Sequence, residues 1–381
     1  MIYLAIDILV LNSAPGNHFM AIAKRFKERC IPFKLVTFSP NVNDVEKEAR
    51  LMGVDYIDVA GNYPLSGTFA KKVWRNIYAK WLFRRNIVHF ANTLSNNDSV
   101  FIYAGYHCLD KFLASGSRLF LEYTEHPQMH DFKFRNDKER NAFYTNIVRV
   151  DGVFVISTAI KAHYQSLGVS ADRVTIVNMI ADSNRFAGLW KETVGNPYIA
   201  YCGSATNNKD GVDRLLKAFA MIAGDFSDLK LYIIGRKPTP SEPGNNCQLA
   251  TDLGIVEKVV FTGLVSRDSI PQLLKNASVL ALARPDSLQA KNGFPTKLGE
   301  YLLTRNPVVV TKTGDISLFL KDGDSAYLVE PGDDAAFAEK LRYVLSHPEE
   351  AKHVGEHGYM VAMKHFNYQI EADKVIEKMQ K

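Results

Sequence analysis

The chain has 381 residues, 46% hydrophobic and 23% charged, a composition that excludes a disordered or collagenous protein and accommodates two or three domains. Its net charge of +5 is uneven: residues 1–190 carry 23 Lys and Arg against 17 Asp and Glu, the remainder 23 against 24. A modestly basic first half suits phosphate groups or an anionic membrane surface and is too weak to argue for nucleic acid, of which no motif is present.

The first apolar run, 3–11, contains Asp7 and lacks a basic flank and a small-residue cleavage site. A buried strand is expected there, not a signal peptide. A helix follows over 17–30, with Phe19, Ile22 and Phe26 on one face, then a strand over 31–38. The segment 69–90 carries Lys71, Lys72, Arg75, Lys80, Arg84 and Arg85 without an acid, interleaved with Trp74, Ile77, Trp81 and Phe83. It suits an anionic membrane interface, or equally a domain helix whose tryptophans face their own sheet. Further strands are predicted at 117–123, 151–157 and 173–178. Periodicity lapses over 183–196, which ends in Asn-Pro and is the expected linker.

The pattern then restarts, with strands at 196–203, 229–235, 257–263, 277–283 and 306–311. Continuous apolar strands alternating with helices predict parallel sheets covered on both faces. The expected fold class is therefore α/β, with two doubly wound domains, 1–186 and 187–358, and a cleft facing the carboxyl ends of their strands. A last helix, 359–381, carries Phe366 and Tyr368 and is expected to dock on the first domain. No apolar stretch reaches the ~18 residues of a membrane helix. The four cysteines, Cys30, Cys108, Cys202 and Cys247, show no CxxC spacing, so neither a disulfide framework nor a zinc ribbon is expected and a reducing, cytoplasmic compartment is the default.

The chemistry concentrates in NGFPTKLGEYLLTRNPVVVT, 292–311. Pro295 suits the start of a helix running to Leu303. Lys297 in the first turn has the wrong sign for the helix dipole, and Lys ahead of Glu300 is the less favourable order for an ion pair. The arrangement makes better sense with an anion such as a diphosphate over the helix N-terminus and Lys297, and with Glu300 accepting two ribose hydroxyls. A solvated surface helix with incidental charges is the alternative.

This segment resembles the donor-site signature of GT-B glycosyltransferases of family 4, whose second Glu, matched by Glu300, binds the nucleotide ribose. The first Glu of that signature corresponds to Asn292, which departs from the pattern where the family contacts the donor sugar. The resemblance implies a donor site that also includes Gly293, Phe294, Pro295 and Thr296. Residues 166–186, with Asp182 and Phe186, resemble the stretch that closes the family's first domain. Residues 201–220 resemble the opening of the second, where Gly203, Ser204 (often Arg in the family) and Lys209 would meet the diphosphate. Gly263, Leu264 and Val265 resemble the loop that flanks the base. In the first domain, Gly16 stands in the glycine-containing loop, and Glu125 with His126 in the place beside the reacting sugar carbon.

By resemblance the chain is expected to be a retaining GT-B glycosyltransferase with two Rossmann-like domains. It would move sugar from a nucleotide-sugar to a glycan or lipid-linked acceptor, in cell-surface polysaccharide synthesis, in the cytoplasm or peripherally at the membrane. With Lys209, Lys297 and a helix N-terminus on the diphosphate, no metal or other cofactor is expected. Asp322-Gly323-Asp324 spells a metal-binding DxD but sits in a turn before a short strand. A nucleotide-sugar epimerase and a catalytically inactive nucleotide-sugar-binding protein are the alternatives.

Overall fold

The computed structural model describes residues 1–11, 13–39, 45–59, 83–129, 134, 136–192, 195–205, 207–237 and 245–381. The chain divides into two compact units, Met1–Asn178 with Glu371–Lys381, and Met179–Ile370. The first unit holds strands β1 (Ile2–Ile6), β2 (Phe33–Thr37), β3 (Asp55–Asp58), β4 (Ser99–Tyr103), β5 (Arg118–Tyr123), β6 (Gly152–Val155) and β7 (Val174–Ile176). They pair in parallel in the order β3-β2-β1-β4-β5-β6-β7. Leu4 on β1 faces Leu35 on one side and Phe101 on the other, and all three are buried. Strands covered on both faces need such side chains at successive positions.

The second unit holds β8 (Tyr198–Cys202), β9 (Lys230–Ile234), β10 (Val259–Gly263), β11 (Val279–Leu282), β12 (Val308–Thr311) and β13 (Tyr327–Val329). Their order is β10-β9-β8-β11-β12-β13, again all parallel. In each sheet the winding reverses beside the first strand, between β1 and β4 and between β8 and β11. At such a switch point the loops leaving the two strands diverge and open a crevice at their carboxyl ends.

Helix starts follow local chemistry. Ser13 caps Ala14–Glu28 by accepting from the Gly16 amide, with Pro15 in the first turn. Asn136, Ser157 and Asp333 cap Asp137–Ile147, Thr158–Ser166 and Asp334–Ser346 in the same way.

The sequence pattern predicts no strand between 38 and 117, yet β3 and β4 lie there. β3 is an edge strand whose outer residues are exposed. β4 is five residues long, and its burial comes from lying between β1 and β5. Of the basic segment 69–90, residues 69–82 lie outside those described, and with them Lys71, Lys72, Trp74, Arg75, Ile77, Lys80 and Trp81. Helix covers 83–91. Arg84 in it donates to both carboxylate oxygens of Glu139 at 2.8 and 2.9 Å, while Arg85 is exposed. No helix among the described residues is long and apolar enough to cross a membrane.

The boundary expected at 186 falls instead at 178–179, because 179–192 packs within the second unit: the Ala181 amide donates to Phe366 O at 2.8 Å. The single helix expected over 359–381 is two, Pro348–His365 and Tyr368–Gln380. The break comes at Phe366-Asn367, where the chain pairs with Ala181 and the Asn367 side chain accepts from the Gln369 amide. Phe366 packs against Phe294 and Phe319 in the second unit. The last eleven residues pack on the first unit. Arg25 donates to both carboxylate oxygens of Asp373 at 2.9 and 2.7 Å. Glu371, fully buried, accepts from the Asn178 amide at 2.7 Å and from Lys374 at 2.7 Å. Removing it leaves a buried amide unsatisfied. Glu371→Ala should lower unfolding stability by about 1–3 kcal/mol in urea denaturation, and Asp373→Ala, partly exposed, by less.

Candidate functional site

Three strands of the second sheet end on glycine. Gly203, Gly235 and Gly263 follow or close β8, β9 and β10 with φ of +148°, +139° and +71°. A Cβ at Gly235 would fall 2.1 Å from the Gly203 carbonyl oxygen, so the ends of β8 and β9 lie backbone to backbone. A Cβ at Gly203 would fall 2.7 Å from Lys297 Nζ and 3.0 Å from the Tyr201 hydroxyl. The space that the sequence suggests for an approaching phosphate beside Gly203 is filled by a lysine.

Lys297 reaches that notch from the first turn of the helix Thr296–Leu303, whose N-cap Pro295 offers no side-chain cap. Its ammonium lies 2.7 Å from Asp210 Oδ2 and donates to the Tyr201 hydroxyl at 3.1 Å. The Tyr201 hydroxyl has one proton to give and lies 2.6 Å from the Ser204 carbonyl oxygen and 2.8 Å from Asp210 Oδ2. Lys297 is 15% exposed and Asp210 5%. Burial pulls the Lys297 ammonium below the usual lysine range, the Asp210 carboxylate pushes back, and the nearby Arg284 guanidinium adds to the lowering. Burial first, then Asp210, holds the Tyr201 phenol well above its ordinary value.

Arg284, just past β11, is 1% exposed; its Nε donates to the Lys209 carbonyl at 3.2 Å, and its own carbonyl accepts from Thr311. Among the described residues, the crevice beside β8 and β11 thus contains two largely buried cations and one buried carboxylate.

Glu300, one turn along the same helix, does not pair with Lys297. Its Oε1 accepts from Arg185, which also donates to the Arg267 carbonyl at 3.2 Å. This explains the unfavourable order of Lys297 and Glu300: each has a partner from a different part of the chain. Cys202 lies among Glu300, Lys297 and Arg185, its thiol pushed up to about 12 by burial first and then by Glu300.

The remaining expected residues fall in several places. Ser204 contributes its carbonyl to Tyr201, and Lys209 is exposed. Leu264 is 84% exposed beyond Gly263, with Val265 half-buried. Asn292 ends the helix Leu288–Asn292, its Nδ2 donating to Leu288 O at 2.8 Å. Gly293 and Pro295 are buried, Thr296 is half-buried, and the Phe294 ring belongs to the cluster with Phe319 and Phe366.

In the first unit Gly16 is not in a loop. It lies in the first turn of a helix, where a Cβ would meet the Val10 carbonyl oxygen at 2.2 Å. Close packing against the chain's own backbone therefore accounts for this glycine. Glu125 and His126 follow β5. His126 is buried, its Nδ1 accepts from the Gln128 amide at 3.3 Å, and its ring lies 4.5 Å from that of His163. Burial, then His126, depresses the pKa of His163. In the same unit a buried pair joins His18 Nε2 to Glu122 Oε1 at 2.7 Å.

Asp322 is engaged by the Leu328 amide at 2.8 Å and by Lys340 at 3.0 Å, and Asp324 by His357 at 3.3 Å. No cluster of His, Cys, Asp and Glu suited to a metal occurs among the described residues. A cavity of about 750 Å3 in the second unit is lined by Pro197, Leu229, Ser278 and Pro307, the residues that precede β8, β9, β11 and β12. It opens at the amino ends of the strands and includes none of the residues discussed above. Its Lys191 and Lys275 donate to backbone carbonyls, so the charged crevice is the better candidate.

Residues 196–347 match the family Glycosyl transferases group 1. The matched stretch lies within the second unit. N-acetyl-alpha-D-glucosaminyl L-malate synthase of Bacillus anthracis is 30% identical over 145 residues, 38% of this chain and 35% of that protein. The MMP alpha-(1->4)-mannosyltransferase of Mycolicibacterium hassiacum is 26% identical over 56% of this chain and 49% of its own. These matches span between a third and a half of the relatives' length. The fold is that of GT-B glycosyltransferases: Anabaena HepE, solved in complex with UDP, superposes over 100% of this chain and 99% of its own with a TM-score of 0.75 at 15% identity.

Sequence reasoning in the second unit found Lys297 and Glu300 but not their partners. Asp210, Tyr201, Arg284 and Arg185 carry no motif, and the nearest signal is the Lys-Asp-Gly turn at 209–211. Gly203→Ala should cost about 1–3 kcal/mol of stability in thermal or urea unfolding, because the added methyl needs both a strained backbone and displacement of a paired lysine.

Proposed function

We propose that the chain is a retaining glycosyltransferase that moves a sugar from a nucleotide-sugar to an acceptor hydroxyl. The observation that carries this reading is the Lys297 ammonium buried at the switch point of the second sheet, beside the open N-terminus of its helix and one turn from Glu300. Buried donors strengthen electrostatics toward an anion, and fixed ones need no reorganisation as charge develops on a leaving group. Lys297, the first-turn amides and Lys209 would neutralise the leaving diphosphate. Glu300, oriented by Arg185, would accept the ribose hydroxyls. Gly263, Leu264 and Val265 would flank the base, and Asn292, Gly293 and the Phe294 backbone would meet the sugar. Glu125 and His126 are proposed as the catalytic residues, since a carboxylate and an imidazole can stabilise positive charge on the sugar ring and orient a hydroxyl; Gly16, packed against its own backbone, is left out. No metal is needed in this scheme.

The UDP in the HepE structure supports a uridine nucleotide as the first donor class to test, and HepE has also been solved with UDP-glucose. A glycan or lipid-linked acceptor of cell-surface synthesis, met at the inner face of a membrane through the basic segment 69–90, completes the reading. A second reading, nucleotide-sugar binding without transfer, is supported by Asn292, a neutral residue where the resembled signature has a carboxylate.

A donor that binds the native state raises its melting temperature, so a panel of nucleotide-sugars should yield at least one that stabilises the protein. If none does, the assignment is lost. Sugar transfer with that donor, as opposed to stabilisation alone, separates the two readings. Glu300→Ala should weaken donor affinity about 10–100-fold, since hydrogen bonds to a charged acceptor contribute about 1.5–3 kcal/mol. Unchanged affinity in a folded variant would remove Glu300 from the site. EDTA should leave the transfer rate within about twofold. Loss of activity restored by magnesium or manganese would overturn the lysine-based neutralisation.

A further inference from the structure

We propose that Asp210 is a positioning residue of the nucleotide site, whose carboxylate holds the Lys297 ammonium in place and in its charged form. This rests on the reading of Lys297 as the diphosphate cation. Asp210 is otherwise anomalous, because a buried acid beside a site for an anion has the wrong sign for the ligand. Its position is rigid. The next residue, Gly211, has φ of +65°, and a Cβ there would lie 1.9 Å from the Ala283 carbonyl oxygen, so the turn is clamped against the end of β11. The Asp210 carboxylate is 5% exposed and lies 2.7 Å from Lys297 Nζ and 2.8 Å from the Tyr201 hydroxyl.

The groups facing Lys297 are Tyr201 and Cys202 from β8, Asp210 from the turn after it, and Arg284 from the end of β11. Burial and Arg284 both disfavour the ammonium, and Asp210 is the strongest opposing influence. Without it, a buried lysine would sit beside a guanidinium with a phenol as its neutral acceptor. With it, the Lys297 ammonium keeps a counter-charge 2.7 Å away. The sign is then fixed. Replacing Asp210 by Asn removes the influence that raises the Lys297 pKa, so Lys297 loses its proton at lower pH and affinity for a diphosphate falls earlier as pH rises.

The test measures UDP affinity between pH 7.5 and 9, where the diphosphate itself is almost fully ionised, in the full-length protein. Asp210→Asn should lose about tenfold more affinity than wild type across that range, one tenfold step corresponding to one pH unit of earlier deprotonation. Asp210→Glu should restore the flatter profile. Lys297→Met should show no such slope, with or without Asp210→Asn, because the coupling runs through the lysine. Parallel profiles for Asp210→Asn and wild type would overturn the proposal.

A second measurement needs no ligand: competitive acetylation of Lys297 against pH, read by mass spectrometry. Lys297 should become reactive at lower pH in Asp210→Asn than in wild type, and an unchanged profile would also overturn the proposal. Failure of wild type to bind UDP or GDP at any pH would fall on the nucleotide reading, while the acetylation profile still decides the role of Asp210. If Asp210→Asn does not fold, Tyr201→Phe, which removes the neutral half of the anchor, should shift the profile the same way and less far.

Discussion

An ammonium taken out of water must be given a counter-charge and hydrogen-bond acceptors or it gives up its proton. The second unit meets this requirement for Lys297, and much of its local architecture follows. Asp210 and Tyr201 supply the acceptors. Gly203 lacks a side chain because the lysine occupies the place where one would be, and Gly235 lacks one because the β9 end lies against the Gly203 carbonyl. Gly211 lacks one because the turn carrying Asp210 is pressed onto β11. These glycines are consequences of one buried charge and of the close-packed strand ends that surround it.

The winding of the sheet determines where that charge sits. β8 and β11 are neighbours in space and far apart in sequence, and their loops leave in opposite directions. The helix Thr296–Leu303 returns toward the same edge and brings Lys297 and Glu300 with it. Arg185, from the segment that opens the second unit, reaches Glu300. Three stretches of chain therefore meet at Cys202, whose pKa is raised first by burial and then by Glu300. In the first unit His18, from the helix after β1, and Glu122 of β5 form a buried hydrogen-bonded pair.

Much of the fold was legible in the residues. Runs such as YIAYC and LKLYIIG are apolar at successive positions because both faces of a parallel sheet are covered, and the alternation with helices implies the doubly wound topology. Lys297 and Glu300 were legible because they break local rules: a cation at the positive end of a helix, and an ion pair in the poorer order, call for partners from outside the helix. β3 and β4 were not legible, since an exposed edge strand has no apolar run and a five-residue strand gains its burial from neighbours far along the chain. The break at Phe366-Asn367 was hidden for the same reason. Nothing in 359–381 disfavours one helix until Ala181 pairs with the backbone there.

What the sequence by itself determined is the set of local commitments: strand periodicity, caps at Ser13, Asn136, Ser157 and Asp333, glycine at the ends of β8, β9 and β10, and a lysine and a glutamate one turn apart. Only the tertiary structure decided the pairings, Lys297 with Asp210 and Tyr201, Glu300 with Arg185, and Arg284 with the Lys209 carbonyl. It also reassigned Gly16 from a ligand loop to internal packing. The physical reason is range. Backbone preference and hydrophobic period act over a few residues and leave a readable pattern, whereas a buried charge is satisfied by whichever groups the fold brings within about 3 Å, such as Arg185 for Glu300, 115 positions away, and the Asn178 amide for Glu371, 193 positions away.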